Sequence, residues 1–288
     1  MRIVRFLDDR NQVQWGCDFR AGTAQPLDGS PLHGGRPDAV SGRVAVRKLL
    51  APAEPPAILC IGLNYRQHAL ETHAPLPERP VLFMKNPAAL AHPGDPIRLP
   101  PSCLNPPQVD YEVELAVVLG RAALNVPRER ALDYVLGYTI ANDVSARLWQ
   151  KQGGAGQWIR GKSFDTFCPI GPELVTADEI PDPQTLALTT RVNGERLQDG
   201  HTSDMVFPVA ELIATLSQGM TLLPGTLLLT GTPAGVGVAR QPPRFLLPGD
   251  RVTLEIERIG VLENPVEAVA ADAPGAAAPA ADGELWGR

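Results

Sequence analysis

Aromatic residues make up only 5% of this 288-residue chain. So thin a supply argues against a surface built to stack nucleotide bases. Positive charge is not in excess either. The formal net charge is −6, which leaves no electrostatic footprint for nucleic acid or an anionic membrane. A local basic pocket for an acidic metabolite is still compatible with that balance. Cysteine is scarce: Cys17, Cys60, Cys103 and Cys168 lie far apart, with no Cys-x-x-Cys and no Cys/His pair. Neither a structural zinc nor a disulfide framework is expected from such spacing, and reduced, buried thiols in a cytoplasmic protein are. No apolar run approaches membrane-spanning length. The opening Met1-Arg-Ile-Val-Arg-Phe-Leu-Asp-Asp-Arg10 carries charges where a signal peptide needs an apolar stretch. No Gly-x-Ser-x-Gly elbow is present, so a serine hydrolase would lack its nucleophile.

What is present is an ordinary globular composition, long enough for one large domain with a small appendage. Residues 1–55 read as a β-rich appendage, with short strands at Ile3–Phe6 and Val13–Gly16. Ala51-Pro-Ala-Glu-Pro-Pro56 is a linker, because repeated proline removes donors and disfavours helix. Strand signals recur at Ile58–Gly62, Val81–Met84, Glu112–Leu119, Leu186–Val192, Thr226–Thr230 and Val252–Ile256. Helical signals fall on Tyr65–Thr72, Val126–Leu136 and Val209–Ser217. Strands and long helices do not alternate regularly, which argues against a doubly wound parallel sheet. The expected fold is α+β, mainly β, with a mixed, rolled or closed sheet. Residues 267–288 form an Ala/Pro-rich tail expected to be disordered.

Chemistry concentrates in Tyr111-Glu-Val-Glu-Leu-Ala-Val-Val-Leu119. On a strand, Glu112 and Glu114 point to one face and Val113, Leu115, Val117 and Leu119 to the other. The two carboxylates stand roughly 7 Å apart. At an effective dielectric of about 20 they repel by about 2.4 kcal/mol, nearly two pK units. A proton or a cation must relieve that repulsion if the strand is buried. A third carboxylate, Asp143, favours a hard divalent cation. An edge strand with two solvated glutamates would show the same pattern. His68 and Glu71, three apart, share a face on a helical turn. They are either an oriented general base or a surface histidine with an acidic neighbour. Lys162, on a Gly-rich turn before a Pro-containing strand, and Lys85 are lysines that would steady an enolate or bind a carboxylate, unless merely solvated. The Gly/Thr-rich loop 229–237 offers backbone N–H groups to an anion or is a tight turn. It lacks the Gly-Lys-Ser/Thr ending of a P-loop. His33, His73, His92 and His201 form no metal-ligand spacing.

The order of these pieces resembles the fumarylacetoacetate hydrolase superfamily. The matching segments are Ile61-Gly-Leu-Asn-Tyr-Arg-Gln-His68, Val109-Asp-Tyr-Glu-Val-Glu-Leu115 and Gly137-Tyr-Thr-Ile-Ala-Asn-Asp-Val-Ser-Ala-Arg147. They continue with Gly161-Lys-Ser-Phe-Asp-Thr166, Val192-Asn-Gly-Glu195 and Leu229-Thr-Gly-Thr-Pro-Ala-Gly-Val-Gly237. Lys162-Ser-Phe-Asp-Thr-Phe-Cys-Pro169 and Arg240–Asp250 look most like the branch called fumarylacetoacetate hydrolase domain-containing protein 2. The resemblance spans residues 57–266 and implies a mixed β-sandwich roll, a homodimer, and Mg²⁺ or Mn²⁺ on Glu112, Glu114 and Asp143. It places the lid's His-Glu pair on His68 and Glu71 and the enolate-stabilising lysine on Lys162. It places substrate contacts on Arg147, Gln150 and Thr232, with Tyr65 and Lys85 counted beside them. Leu148 stands where many members carry an acid, and 150–156 replaces more ordinary sequence.

The expected substrate is a small 2-oxo acid. The leading expectation is hydrolytic C–C cleavage of an acylpyruvate or fumarylpyruvate-like compound, with His68 activating water. The alternatives on the same site are oxaloacetate keto–enol tautomerisation, double-bond isomerisation of the hydroxymuconate type, and oxaloacetate decarboxylation. A non-catalytic 2-oxo-acid-binding protein is a further alternative.

Overall fold

The computed structural model describes residues 1–38, 42–153 and 155–269. Most of the expected tail lies outside the described residues, and Glu267 and Ala268 instead close a strand, Gly260–Ala268. The chain is mainly β, with two facing sheets of mixed direction. The larger has 12 strands and the smaller has 5.

The larger sheet is built around Val113–Leu119, which pairs antiparallel with Val135–Asn142 on one side and Leu227–Leu229 on the other. Ile58–Gly62 joins parallel to Leu227–Leu229, and Val81–Lys85 completes that edge. On the far side Cys168–Thr176 follows Val135–Asn142 and then meets Arg2–Leu7. The N-terminal strands Val13–Arg20, Thr23–Pro26, Val44–Ala45 and Lys48–Leu50 therefore extend the same sheet through Arg2–Leu7.

The central strand obeys the two-residue period of a pleated strand. Val113, Leu115, Val117 and Leu119 pack with Leu188, Leu254 and Leu262 of the smaller sheet. Ala116 and Val118 pack the other way, with Cys60, Ala141 and Ile170. Both faces are thus buried, which excludes the solvated edge strand. Glycine is demanded in the neighbouring strand, where a Cβ on Gly137 would lie 2.4 Å from the Val175 carbonyl oxygen.

The expected helices over Tyr65–Thr72 and Val209–Ser217 are α-helices at Arg66–Glu71 and Val209–Leu216. The expected helix over Val126–Leu136 is instead a 3₁₀ segment, Arg128–Tyr134. Pro127 caps its start, and Val135 has already entered the ladder opposite Leu119. The strands Val135–Asn142, Glu195–His201 and Gly260–Ala268 are not among those expected from sequence. Polar residues and glycines in all three break the apolar alternation that marks a strand.

Candidate active site

Strand register assembles the acidic cluster. The last ladder pair is Val113 opposite Asn142. One step further, the Asp143 N–H donates to the Glu112 carbonyl at 2.9 Å. Glu112 and Asp143 therefore face each other across the ladder's end, on the side that also carries Glu114. Asn142 helps the strand leave the ladder, its Oδ1 accepting the Glu112 N–H at 3.0 Å. The three carboxylates can each offer an oxygen within 4.8 Å of the others, and all three are buried.

Cations meet two of these acids. Lys162 Nζ donates to Glu112 Oε2 and Asp143 Oδ2, both at 2.7 Å. Lys85 Nζ donates to Asp143 and to the Val144 carbonyl oxygen. Arg147 Nη2 stands 2.7 Å from Glu112 Oε1 and 2.8 Å from Asp110 Oδ2. Glu114 has no ion-pair partner among the described residues; its Oε2 accepts the Gly231 N–H at 2.7 Å. Burial, then Asp143 and Glu112, push the Glu114 carboxyl well above the carboxylate range. Burial acts on Glu112 in the same direction, but Lys162 and Arg147 together outweigh it and hold Glu112 down at about 2. Buried carboxylate oxygens, one of them lacking any compensating charge, fit a hard divalent cation.

Lys162 ends a short helix, Ile159–Lys162, rather than sitting on an open turn. A Cβ on Gly161 would lie 2.5 Å from the Gln150 N. Glycine there lets this helix press against Arg147–Gln152 and drive the lysine inward. Lys162 Nζ also lies 5.1 Å from the centroid of the Phe83 ring.

The His68 and Glu71 side chains meet, Nδ1 to Oε1, at 2.7 Å. Glu71 Oε2 accepts the Gly235 N–H at 2.8 Å, tying the pair to loop 229–237. In the tautomer that carries its proton on Nδ1, this contact leaves the ring's lone pair on Nε2. His68 lines a cavity of about 240 Å³ together with Glu112, Glu114, Arg147, Lys162 and Thr232. A space that small suits a metabolite rather than a drug-sized ligand.

Gln150 lines the same cavity and accepts from Arg147 Nη1 at 3.0 Å. The Thr232 hydroxyl donates to the Val113 carbonyl oxygen at 3.0 Å and accepts from Gln198 Nε2 at 2.8 Å. Its proton is thus committed to the protein, and toward the cavity it offers an acceptor. Tyr65 and Lys85 are not brought to the cavity wall. Tyr65 is fully buried and does not line it, and Lys85, 1% exposed, is used up on Asp143 and Val144.

Two residues of the site are not among those singled out from the sequence. Buried Asp110 accepts from Tyr111 N, Gly237 N, Val238 N and Arg147 Nε, at 2.7–2.9 Å. Buried Gln198 accepts from Val113 N and Thr190 Oγ1 while donating to Thr232 and Pro233. Asp110 lies two residues before Glu112, and carrying the two-residue period back by one step points to it. Gln198 leaves no such signal, because its partners are distant in sequence.

The chain belongs to the fumarylacetoacetate hydrolase family. Residues 57–267 match the model of the fumarylacetoacetate (FAA) hydrolase C-terminal domain. Within that family it sits in the fumarylacetoacetate hydrolase domain-containing protein 2 branch. It is 50% identical over 219 residues to the mitochondrial oxaloacetate tautomerase fahd2 of Xenopus laevis, covering 76% of this chain and 68% of the relative. It is 47% identical over 223 residues to oxaloacetate tautomerase YisK of Bacillus subtilis, covering 76% and 73%. The solved structure of 2-hydroxyhepta-2,4-diene-1,7-dioate isomerase from Mycobacterium marinum superposes with a TM-score of 0.77 at 39% identity, over 93% of this chain and 98% of that one. These names favour isomerisation over the hydrolytic cleavage expected first. Among the described residues, no helix is long and apolar enough to cross a membrane.

Proposed function

We propose that this protein is a divalent-cation-dependent keto–enol tautomerase of oxaloacetate or a closely similar 2-oxo diacid. The observation that carries the reading is the buried Glu112–Glu114–Asp143 cluster, two of whose members, Glu112 and Glu114, line one small cavity with Lys162 and His68. The names of the relatives at 47–50% identity support the same outcome.

Glu112, Glu114 and Asp143 would hold Mg²⁺ or Mn²⁺. The ion would supply Lewis acidity, lowering the cost of enolising a 2-oxo acid. The chain's own residues do the rest. His68 Nε2 takes a proton from C3 of the substrate, and Glu71 holds the ring and steadies the imidazolium. Lys162 places positive charge beside the oxygen on C2 as negative charge grows there. That oxygen then takes a proton, and the molecular formula is unchanged. Arg147 and Gln150 line the wall and help to seat the substrate. The pair that suggested hydrolysis serves equally as a carbon base, so it does not favour attack by water. A homodimer in a reducing, cytoplasmic setting completes the reading. Leu82 and Met84 are exposed on the edge strand Val81–Lys85, and all four cysteines are free and buried.

The test is a proton-NMR time course on the Mg²⁺-loaded protein, with an EDTA control. Oxaloacetate should exchange its C3 protons with deuterated solvent faster than in the control, and acetylpyruvate should keep its carbon skeleton. Metal-dependent release of acetate and pyruvate from acetylpyruvate would refute the reading in favour of hydrolysis.

A further inference from the structure

The cations that reach the active-site wall are nearly all spent. Lys162 is held by Glu112 and Asp143, and Arg147 by Asp110 and Glu112. Neither brings unpaired charge to a substrate's far end. Lys151 differs. It lines the same cavity, is exposed to solvent, and makes no ion pair among the described residues. It sits on the helix Arg147–Gln152, one turn beyond Arg147 and next to Gln150.

We infer that Lys151 is the specificity-determining residue for the second carboxylate of a 2-oxo diacid. This assignment rests on the tautomerase reading. The substrate's carboxylate and 2-oxo group belong at the buried end, beside the acidic cluster, Lys162 and His68. A four-carbon diacid then carries its other carboxylate toward the mouth, where buried groups give way to solvent. The ammonium of Lys151 is the one cation on that wall free to receive it, among the described residues. A 2-oxo monoacid has nothing to offer it. Recognition of the tail is thereby separated from the chemistry, because Lys151 touches none of the three carboxylates.

The experiment compares C3 deuterium exchange of oxaloacetate and of 2-oxobutyrate by the Mg²⁺-loaded enzyme. The two substrates share the reacting end, and a methyl group replaces the far carboxylate in the second. Lys151→Met should lower the ratio of kcat/KM for oxaloacetate over that for 2-oxobutyrate roughly tenfold, mostly through KM, as for one partly solvated charged hydrogen bond. Lys151→Arg should recover most of that ratio. An unchanged ratio in Lys151→Met, with the wild type turning over oxaloacetate normally, overturns the assignment alone. Failure of the wild type to exchange either substrate overturns the tautomerase reading and this assignment with it.

Discussion

Asp110→Asn tests how the site is held together. The substitution keeps the volume of the side chain and turns one acceptor into a donor. Oδ1 now accepts from Tyr111 N and Gly237 N, and Oδ2 from Val238 N and Arg147 Nε, with Arg147 Nη2 2.8 Å away. Whichever way the new amide turns, its NH₂ faces two groups that are themselves donors. Two buried hydrogen bonds are lost at about 1–3 kcal/mol per unsatisfied group. The Arg147 guanidinium also loses one of its two carboxylates, and breaking a buried pair costs about 3–5 kcal/mol. These effects overlap, so the expected loss of folding stability is about 3–5 kcal/mol, or roughly 6–15 °C in Tm. Urea denaturation at neutral pH measures the first figure and calorimetry the second. A double-mutant cycle with Arg147→Met then isolates the pair. The double variant should be more stable than the sum of the single losses predicts, by more than about 1 kcal/mol. A loss under about 1 kcal/mol for Asp110→Asn, or strict additivity in the cycle, would refute the claim that Asp110 neutralises Arg147 and anchors loop 235–238.

Three further outcomes follow from the same cluster. Burial and two neighbouring carboxylates raise Glu114, so its proton favours the folded state, and that contribution fades as pH climbs from the unfolded carboxylate value toward the raised one. On the proposed cation reading Mg²⁺ would take the proton's place, so the Tm gained over an EDTA control should grow with pH, and a gain independent of pH, or one that still grows in Glu114→Gln, would sink the argument. Glu112 has the opposite sign: held at about 2 against its burial by Lys162 and Arg147, it stabilises the fold above the ordinary carboxylate value and loses that contribution as pH falls toward about 2. Lys162→Met removes the largest attraction, so acid unfolding followed by circular dichroism should move to higher pH, and an unmoved acid transition would count against the pairing. Glu71→Gln strips the carboxylate from His68, so oxaloacetate exchange should slow roughly 10–100-fold. An unchanged exchange rate would separate the His68–Glu71 contact from proton transfer.

Much of the site is readable in the sequence because it obeys short-range rules. The two-residue period places Glu112 and Glu114 together, and the three-residue helical spacing joins His68 to Glu71; both hold at atomic distance. Asp143 is an oxygen ligand by residue type, yet what brings it into place is cross-strand register, fixed by the pairing of Val113 with Asn142. No local rule predicts that register. Lys85 shows the same limit in reverse. On the chain it looks as available as Lys162, but the antiparallel pairing of Ile58 with Lys85 aims it beneath the cluster, where Asp143 and Val144 consume it. The strand Val135–Asn142 is hard to read because Gly137 interrupts its apolar pattern. That glycine is required by the approach of Val175, a contact 38 residues away in the chain.

The balance of buried charge supports the proposed enolisation over hydrolysis. Asp110, Glu112, Glu114 and Asp143 are buried, as are Lys85, Arg147 and Lys162, so that with all four carboxylates ionised one negative charge is in excess, on Glu114. A divalent cation held there would turn the excess into one positive charge, which the carboxylate of the proposed 2-oxo acid substrate would cancel. The proposed enolisation would then move one negative charge onto the C2 oxygen while His68 gained one positive charge, keeping neutrality within one cavity. Separating unlike charges in a low-dielectric site is expensive, and here both form between groups that already face each other. Hydrolysis asks more of the same walls. It needs an ordered water beside His68, a second oxyanion site at a distal carbonyl, and a proton for the leaving carbon. The Thr232 hydroxyl lines the cavity, but it already donates to the Val113 carbonyl oxygen while Gln198 holds it from the other side.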